Sequence, residues 1–335
     1  MTKGYYHKQM WYLFLKLLAC MAFLILLIEF LTSCEHKDLC YDHPHRQNVE
    51  VIFDWSEAPD ANPSTMSLYL YPENGGAPQR YDFVGRKGGC ISVAPGVYDA
   101  ICLNSDKETH RFTNVEVCKT FEVTSAETVV LQGFLSAMNQ SPPRANDAEN
   151  ERVMQEPEML WCCHANRVII KGSGDKTTIT MKPKARVSRC SVEIKNVENL
   201  KAVKTMSASV SGMSGGWFAG ISELSQEKVT IPFNVRVNAA QSTVTGSFSL
   251  FGHCPVEPVK HKLMVYAQLT DNSNWYYEED VTDQIHDPEQ KDETHIKIEI
   301  DKLPLPKPTP DPEEEGGGLQ PSVSKWNEIY IDIKM

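Results

Sequence analysis

Apolar and polar residues alternate with a period of two over most of the chain beyond residue 47. The runs "NVEVIFDW" (48–55) and "HIKIEIDKL" (295–303) carry aliphatic and aromatic side chains at alternate positions over most of their length, with polar or charged residues between them. Strands with one face in a core and the other in water show this pattern. Proline, glycine, asparagine and aspartate separate the runs at intervals that suit a β-sandwich. The pattern predicts an all-β protein.

The strand-like runs fall into two groups. The first group covers residues 48–135 and the second covers residues 166–335, beginning with "TTITMKPK" (177–184). Between them, residues 136–165 are polar and proline-bearing, and we expect a linker or excursion there. The length beyond the leader, about 300 residues, suffices for two domains. We therefore predict two β-sandwiches in tandem.

The C-terminal end joins a strand-like run to a segment that cannot build a core. Residues 303–325 are rich in proline, glycine and glutamate, a composition that stays extended and solvated. The run "WNEIYIDIKM" (326–335) then alternates strictly, with Ile329, Ile331 and Ile333 on one side. Such a strand can complete the sheet of its own domain, or it can be donated to a neighbouring subunit as in strand-complemented pili.

The N-terminal end has the layout of a secretory signal. Lys3 and Lys8 precede an apolar stretch at 11–31, and the chain turns polar soon after. At the boundary, Leu31, Thr32 and Ser33 lie directly before Cys34, which resembles the bacterial lipobox. We predict a lipoprotein signal peptide at 1–33 and a tether at 34–47. Cys34 would then hold the chain on a membrane through its acyl chains.

Two other interpretations of this end stay open. The apolar stretch is long enough to span a bilayer as an uncleaved anchor, and ordinary signal-peptidase cleavage is also compatible with it. Translation from Met10 would leave Lys16 as the sole basic residue of the leader.

The cysteines suggest one disulfide. Ten are present, and an even set outside the cytoplasm favours pairing. Cys90 and Cys102 flank "ISVAPGVYDAI" (91–101), which would be a hairpin turned at Pro95 and Gly96. In that register the two cysteines face each other, whereas a slip of one residue separates them. Free buried thiols are the alternative.

No motif predicts an enzyme or a cofactor. The sequence lacks GxSxG, HExxH and phosphate-binding glycine loops in a strand–helix context. "CCH" (162–164) and His253 with His261 contain metal-ligating side chains, but they lack the paired spacing of a structural zinc site, so no metal is predicted. The formal net charge of −11 repels phosphate backbones and argues against nucleic acid as a partner.

Several segments together resemble a known family. "VIFDW" (51–55), "SLYLYPENGG" (67–76), "ISVAPGVYDAICLNSD" (91–106), "YYEEDVTDQI" (276–285) and "HIKIEIDKLPLP" (295–306) are similar to Bacteroidetes cell-envelope lipoproteins of unknown function. These are related to FimB-like anchor and accessory subunits of fimbriae. The resemblance implies two transthyretin-like (Greek-key) β-sandwiches behind a lipidated N-terminus. Cys34, with its lipobox, is the one functional position that it transfers.

Two binding functions follow as hypotheses. The first is an anchor or accessory subunit at the outer membrane, on the cell surface or the periplasmic face, which contacts fimbrial subunits or other envelope proteins through sheet edges. The second is a carbohydrate- or matrix-binding module, which needs aromatic side chains that project from one surface. Trp275, Tyr276 and Tyr277 are the most clustered candidates for that surface.

Overall fold

The structure is a computed structural model, and it describes residues 10–12, 14–23, 46–130, 141–172, 177–286, 295–308 and 325–330. The chain divides into two compact units, Met1–Pro44 and His45–Met335. In the first unit, the described residues between 10 and 23 are helical. No helix among the described residues combines the length and the apolar character that crossing a bilayer requires.

The second unit is built almost entirely from strands, which confirms the predicted all-β class. Its strands are β1 (Gln47–Phe53), β2 (Thr65–Pro72), β3 (Gln79–Val84), β4 (Gly88–Val93), β5 (Gly96–Asn104), β6 (His110–Thr113), β7 (Glu122–Ser125), β8 (Arg152–Val153), β9 (Trp161–Ile170), β10 (Thr177–Met181), β11 (Lys184–Ala185), β12 (Ser188–Ile194), β13 (Val203–Ser214), β14 (Gly216–Phe218), β15 (Glu223–Leu224), β16 (Lys228–Asn238), β17 (Thr243–Leu250), β18 (Lys262–Leu269), β19 (Asn274–Asp280), β20 (His295–Ile300) and β21 (Trp326–Glu328). Where this unit is described, its helices are short: 3-10 turns at Cys118–Thr120 and Leu200–Ala202, and one α-turn at Thr282–Ile285.

Two sheets form the N-terminal module. A three-stranded sheet has the order β10-β1-β4, and a five-stranded sheet has the order β11-β9-β5-β2-β3. Alternate residues of β1, such as Val49 and Val51, meet Leu68 and Leu70 of β2 in one apolar core. The two sheets therefore pack face to face, as the alternation in these strands predicts.

The boundary of this module differs from the prediction. β9 pairs antiparallel with β5, and β10 pairs parallel with β1, with Val51 opposite Ile179. The N-terminal module thus takes strands from the predicted linker and from the start of the predicted second domain. A period-two pattern assigns faces to a strand but carries no information about its partner, so the sequence alone could not reveal these pairings.

The C-terminal module is one nine-stranded sheet that wraps around its own core. The order is β20-β12-β17-β16-β13-β18-β19-β21, and β8 pairs with β16 beside this path. Ile298 and Ile300 of β20 are buried in the core. Lys297 and Glu299, at the alternate positions of the strand, form an ion pair with each other at the surface. The predicted half-buried strand at the end of the regular sheet is therefore confirmed. The tandem transthyretin-like topology stays a prediction.

The two modules share a small sheet and a third core. The order β15-β14-β7-β6 joins two strands from each half of the chain. Phe121 and Trp217 pack there against Tyr69, Ile101 and neighbouring residues on the outer face of the five-stranded sheet. Both faces of β5 are consequently buried.

The first described part of the predicted linker, residues 143–153, is docked on the C-terminal module. Ala145 and Ala148 are buried against the outer face of β18. Arg144 donates hydrogen bonds to the Glu151 carbonyl (3.0 Å) and to Thr230 Oγ1 (2.9 Å). This part of the predicted linker therefore covers a sheet face rather than spanning a gap between domains.

Candidate functional site

The C-terminal strand lies on the edge of the nine-stranded sheet. β21 pairs parallel with β19, with Asn274 opposite Trp326 and Tyr276 opposite Glu328. Asn327 Nδ2 donates to the Asn274 carbonyl at 3.2 Å, and Tyr276 donates from its hydroxyl to Glu328 Oε2 at 2.9 Å. Burial and the adjacent Glu328 carboxylate raise the pKa of Tyr276 to about 12. The strand is thus held by both backbone and side chains.

Ile329 carries this pairing into the core. Its backbone N–H donates to the Tyr276 carbonyl at 2.8 Å, and its side chain is 8% exposed within the C-terminal core. Of the isoleucines predicted for this strand, Ile331 and Ile333 lie outside the described residues. In the part that the structure describes, the terminal strand completes its own module.

Trp326 covers the opposite face of the sheet. Its ring lies edge-on to Tyr266, with the ring centroids 5.7 Å apart. Tyr266 is fully buried and donates from its hydroxyl to the Pro143 carbonyl at 2.9 Å. Trp326 and the docked segment around Ala145 therefore close the same apolar patch from two sides.

The predicted aromatic ligand surface of Trp275, Tyr276 and Tyr277 is wrong, because the three side chains do not share one face of the sheet. Trp275 and Tyr277 face the C-terminal core, whereas Tyr276 faces the patch around Tyr266. Tyr277 is buried, and Trp275 donates from Nε1 to Ser273 Oγ at 2.9 Å. Neighbouring residues of a strand point to opposite faces, so three in succession cannot form one stacking surface. We therefore do not propose carbohydrate binding there.

The predicted disulfide between Cys90 and Cys102 is also wrong. β4, which carries Cys90, lies in the three-stranded sheet, and β5, which carries Cys102, lies in the five-stranded sheet. Cys90 is exposed, Cys102 is buried, and both are free thiols. The chain crosses from one sheet to the other at Pro95 and Gly96 instead of forming a hairpin. Cys102 instead lies directly opposite Cys163 of β9, with the two Sγ atoms 3.3 Å apart.

We expect Cys102 and Cys163 to form a disulfide under oxidising conditions. Opposite residues of an antiparallel pair have Cα atoms about 4.5–5.5 Å apart, which is within the range that a disulfide spans. Refolding in a glutathione redox buffer would oxidise the two thiols while oxidised glutathione is reduced. Peptide mapping should then find these two cysteines linked, and Cys163→Ser should abolish the link while Cys90→Ser preserves it. A peptide that joins Cys90 to Cys102 would contradict this expectation.

Cys118, His164 and Asp99 form a cluster that superficially resembles a nucleophile with its base. The Cys118 Sγ lies 3.8 Å from His164 Nε2. Burial raises the pKa of the Cys118 thiol to about 11 and lowers that of His164. A nucleophilic cysteine requires the opposite shift, towards the thiolate. This cluster therefore lacks the activation that cysteine catalysis needs.

A second cluster was not predicted. His253 and His261, which the sequence does not mark as a metal site, lie beside His286. His286 follows the α-turn at Thr282–Ile285, and no spacing rule connects it to the other two. Cys34 and the lipobox predicted before it, Leu31, Thr32 and Ser33, lie outside the described residues.

Comparison with known proteins finds similarity to proteins from Bacteroidetes that are described as fimbrial or adhesin proteins. Over 233 residues it is 23% identical to "Putative fimbrium anchoring subunit Fim4B" of Bacteroides ovatus, and the match covers 68% of this chain but 64% of that protein. A crystal structure of a "putative adhesin" from Bacteroides ovatus ATCC 8483 shares the fold, with a TM-score of 0.58, 22% identity, and coverage of 82% of this chain and 99% of that one. The fimbrial anchor protein Mfa2 from Porphyromonas gingivalis aligns with a TM-score of 0.47 and 11% identity, covering 76% of this chain and 90% of its own.

The family follows from a separate match. A family model described as "Domain of unknown function (DUF5119)" matches residues 33–234. This range is more than half of the chain and includes strands of both modules. The match and the relationship to the Fim4B protein confirm the resemblance found in the sequence. The chain therefore belongs to the family described as Domain of unknown function (DUF5119), a relative of FimB-like fimbrial proteins in Bacteroidetes.

Proposed function

We propose that this protein is a lipid-anchored subunit of the cell envelope that fixes a fimbrium or adhesin to the outer membrane. Cys34 is its membrane attachment point, and β-sheet edges of the second unit are its contact surfaces for fimbrial subunits. The observation that carries the fimbrial role is the relationship to the Fim4B protein of Bacteroides ovatus over both modules. The lipid anchor rests on the sequence around Cys34.

The edge of the nine-stranded sheet supports contact through strands. β19 accepts a parallel strand, β21, that follows the proline- and glycine-rich segment 303–325. An edge strand exposes unpaired N–H and carbonyl groups and so offers a template for another chain. A sheet whose edge binds a tethered strand can bind the strand of a partner in the same way.

The replacement of Cys34 by serine tests both parts of this proposal at once. Serine cannot form the thioether, so we expect complete loss of lipid labelling and release of the protein from membranes, because the acyl chains supply the attachment. Fimbriae should then appear in the medium instead of on the cells. Metabolic labelling with a fatty-acid analogue, membrane fractionation and electron microscopy measure the three effects.

Cys40→Ser is the matched control, since it removes a thiol six residues further along without touching the lipobox. It should leave labelling, fractionation and fimbriae unchanged. If Cys34→Ser releases the protein while fimbriae stay on the cells, the fimbrial role is wrong. If the protein remains labelled and bound to membranes, the lipid anchor at Cys34 is wrong.

A further inference from the structure

Three histidines from separate segments meet at one end of the C-terminal module. Their metal-binding atoms all lie within 4.8 Å of one another. The ring centroids of His253 and His286 are 4.6 Å apart, and those of His261 and His286 are 4.9 Å apart. His261 is fully buried, whereas the other two are half-buried. The cluster is therefore accessible from one side.

Hydrogen bonds donated by backbone N–H groups hold the three segments in place. The backbone N–H of His261 donates to Thr282 Oγ1 (2.9 Å), and the N–H of His286 donates to the Thr282 carbonyl (3.0 Å). The N–H of Cys254, next to His253, donates to the Gly212 carbonyl at 3.1 Å. These bonds fix the positions of the three segments that carry the histidines.

Gly212 makes the room for His261. It has φ of +77°, and a Cβ there would lie 2.7 Å from His261 Nδ1 and 2.5 Å from the Lys260 carbonyl. The register of β13 shifts at this point, between Val210 and Met213. This irregularity in β13 brings its backbone close to the His261 ring, so that the Ser211 carbonyl can accept a hydrogen bond from the ring.

The imidazole nitrogens of the three histidines are positioned in the way that metal ligands usually are. His261 Nδ1 lies 3.3 Å from the Ser211 carbonyl, and an N–H there donates to that oxygen, which leaves the lone pair on Nε2. Metal-binding histidines commonly orient their rings by such a bond to a backbone carbonyl. His261 Nε2 faces His286 Nε2 at 3.0 Å. His253 Nδ1 is buried and makes no hydrogen bond.

The surroundings favour the neutral form of two of the imidazoles, those of His253 and His261. Burial lowers the pKa of His261 to about 4, and burial together with the neighbouring His286 lowers that of His253. The acidic groups that act on the cluster are Asp280 and Glu257. A neutral imidazole is the form that binds a metal ion.

We propose that His253, His261 and His286 form a binding site for a divalent transition-metal ion, with Zn²⁺ as the best match. Tetrahedral zinc holds nitrogen ligands at about 2.0–2.1 Å, which places them about 3.3–3.4 Å from one another. The three nitrogens lie within 4.8 Å of one another, so shifts of about 1–1.5 Å would bring them to these distances. Three imidazoles leave a fourth position open to water or to a side chain of a partner. Ca²⁺ and Mg²⁺ prefer oxygen ligands and do not fit.

Zinc titration of the full chain tests the site. After treatment with a chelator, the detergent-solubilised protein should bind Zn²⁺ in isothermal titration calorimetry, and the ion should raise the melting temperature. His286→Gln and His253→Ala should each weaken the binding at least tenfold, because even the loss of an outer-shell partner of a metal ligand weakens binding about 10- to 100-fold. Because these two side chains are only half-buried, we expect both variants to fold. Circular dichroism verifies this. Cobalt in place of zinc should show the visible absorption of a tetrahedral ion.

His295→Ala and His164→Ala are the matched controls. His295 is exposed and bonds to Ser191 Oγ, and His164 belongs to the cluster with Cys118. Neither substitution should change binding to the three-histidine site. The proposal is overturned if Zn²⁺ does not bind, or if binding survives in both His286→Gln and His253→Ala. It is equally overturned if His164→Ala alone removes the binding.

Discussion

An aspartate in place of Ile329 should unfold the C-terminal module or lower its stability severely. Truncating a buried isoleucine costs about 2–5 kcal/mol, and a buried carboxylate without a partner adds several more. For a module of this size, each kcal/mol lowers the melting temperature by about 2–4 °C, so the loss should be about 10 °C or more. Thermal unfolding monitored by circular dichroism and near-ultraviolet spectra measures it.

Tyr330→Asp is the control for this prediction. It introduces the same charge at the next residue, but that side chain is 76% exposed, so we expect a change within about 0.5 kcal/mol. Equal, small effects of both substitutions would show that Ile329 does not pack in its own core in solution. That outcome would favour donation of the strand to a neighbouring subunit. A deletion of residues 326–335 that leaves the monomer folded but blocks assembly would lead to the same conclusion.

Gly88→Ala should destabilise the N-terminal module by about 3 kcal/mol or more. Gly88 lies opposite Ile52, where β4 pairs with β1, and has φ of +87°. A Cβ there would lie 2.1 Å from the Val51 carbonyl oxygen. Neither backbone can yield without opening the ladder, and overpacking of this kind costs about 1–3 kcal/mol or more in addition to the conformational strain. Urea unfolding measures the change in free energy.

Comparison with Gly75→Ala separates the steric part of this loss of stability from the conformational part. It has the same φ of +87°, but nothing lies within 4 Å of a Cβ built there. Gly75→Ala should therefore cost about 1–2 kcal/mol, the penalty for a side chain in the left-handed region. If Gly88→Ala were no more destabilising than Gly75→Ala, the close approach of β4 to β1 would not exist in solution.

The alternation of side chains predicted faces well and partners poorly. Ile298, Ile300 and Ile329 occupy the apolar positions of their alternating runs, and the structure buries all three. The same pattern could not show that β10 pairs with β1, because the two strands are more than a hundred residues apart and register depends on tertiary contacts. The predicted disulfide between Cys90 and Cys102 is wrong for the same reason. The turn residues Pro95 and Gly96 suggest a local hairpin, but the chain changes sheets there.

The three-histidine cluster could not be predicted from the sequence for a different reason. His261 and His286 are 25 residues apart, and they meet only because β18, β19 and the α-turn bring them to one end of the module. Metal motifs are recognisable in a sequence when one short element supplies several ligands. Here each ligand comes from a different segment, so composition and spacing carry no signal. The apparent run Trp275–Tyr277 illustrates the reverse case, in which neighbours in sequence point apart.

The position of β1 between β10 and β4 has a mechanical consequence. Tension applied through the chain before residue 47 along the axis of β1 loads both of its ladders. β1 is bonded on both sides, parallel to β10 and antiparallel to β4, and ladder hydrogen bonds run across the strand direction. The load therefore acts on both ladders in shear, and many bonds resist together instead of opening one at a time. A strand held in this way is suited to a protein that is pulled from its N-terminal side.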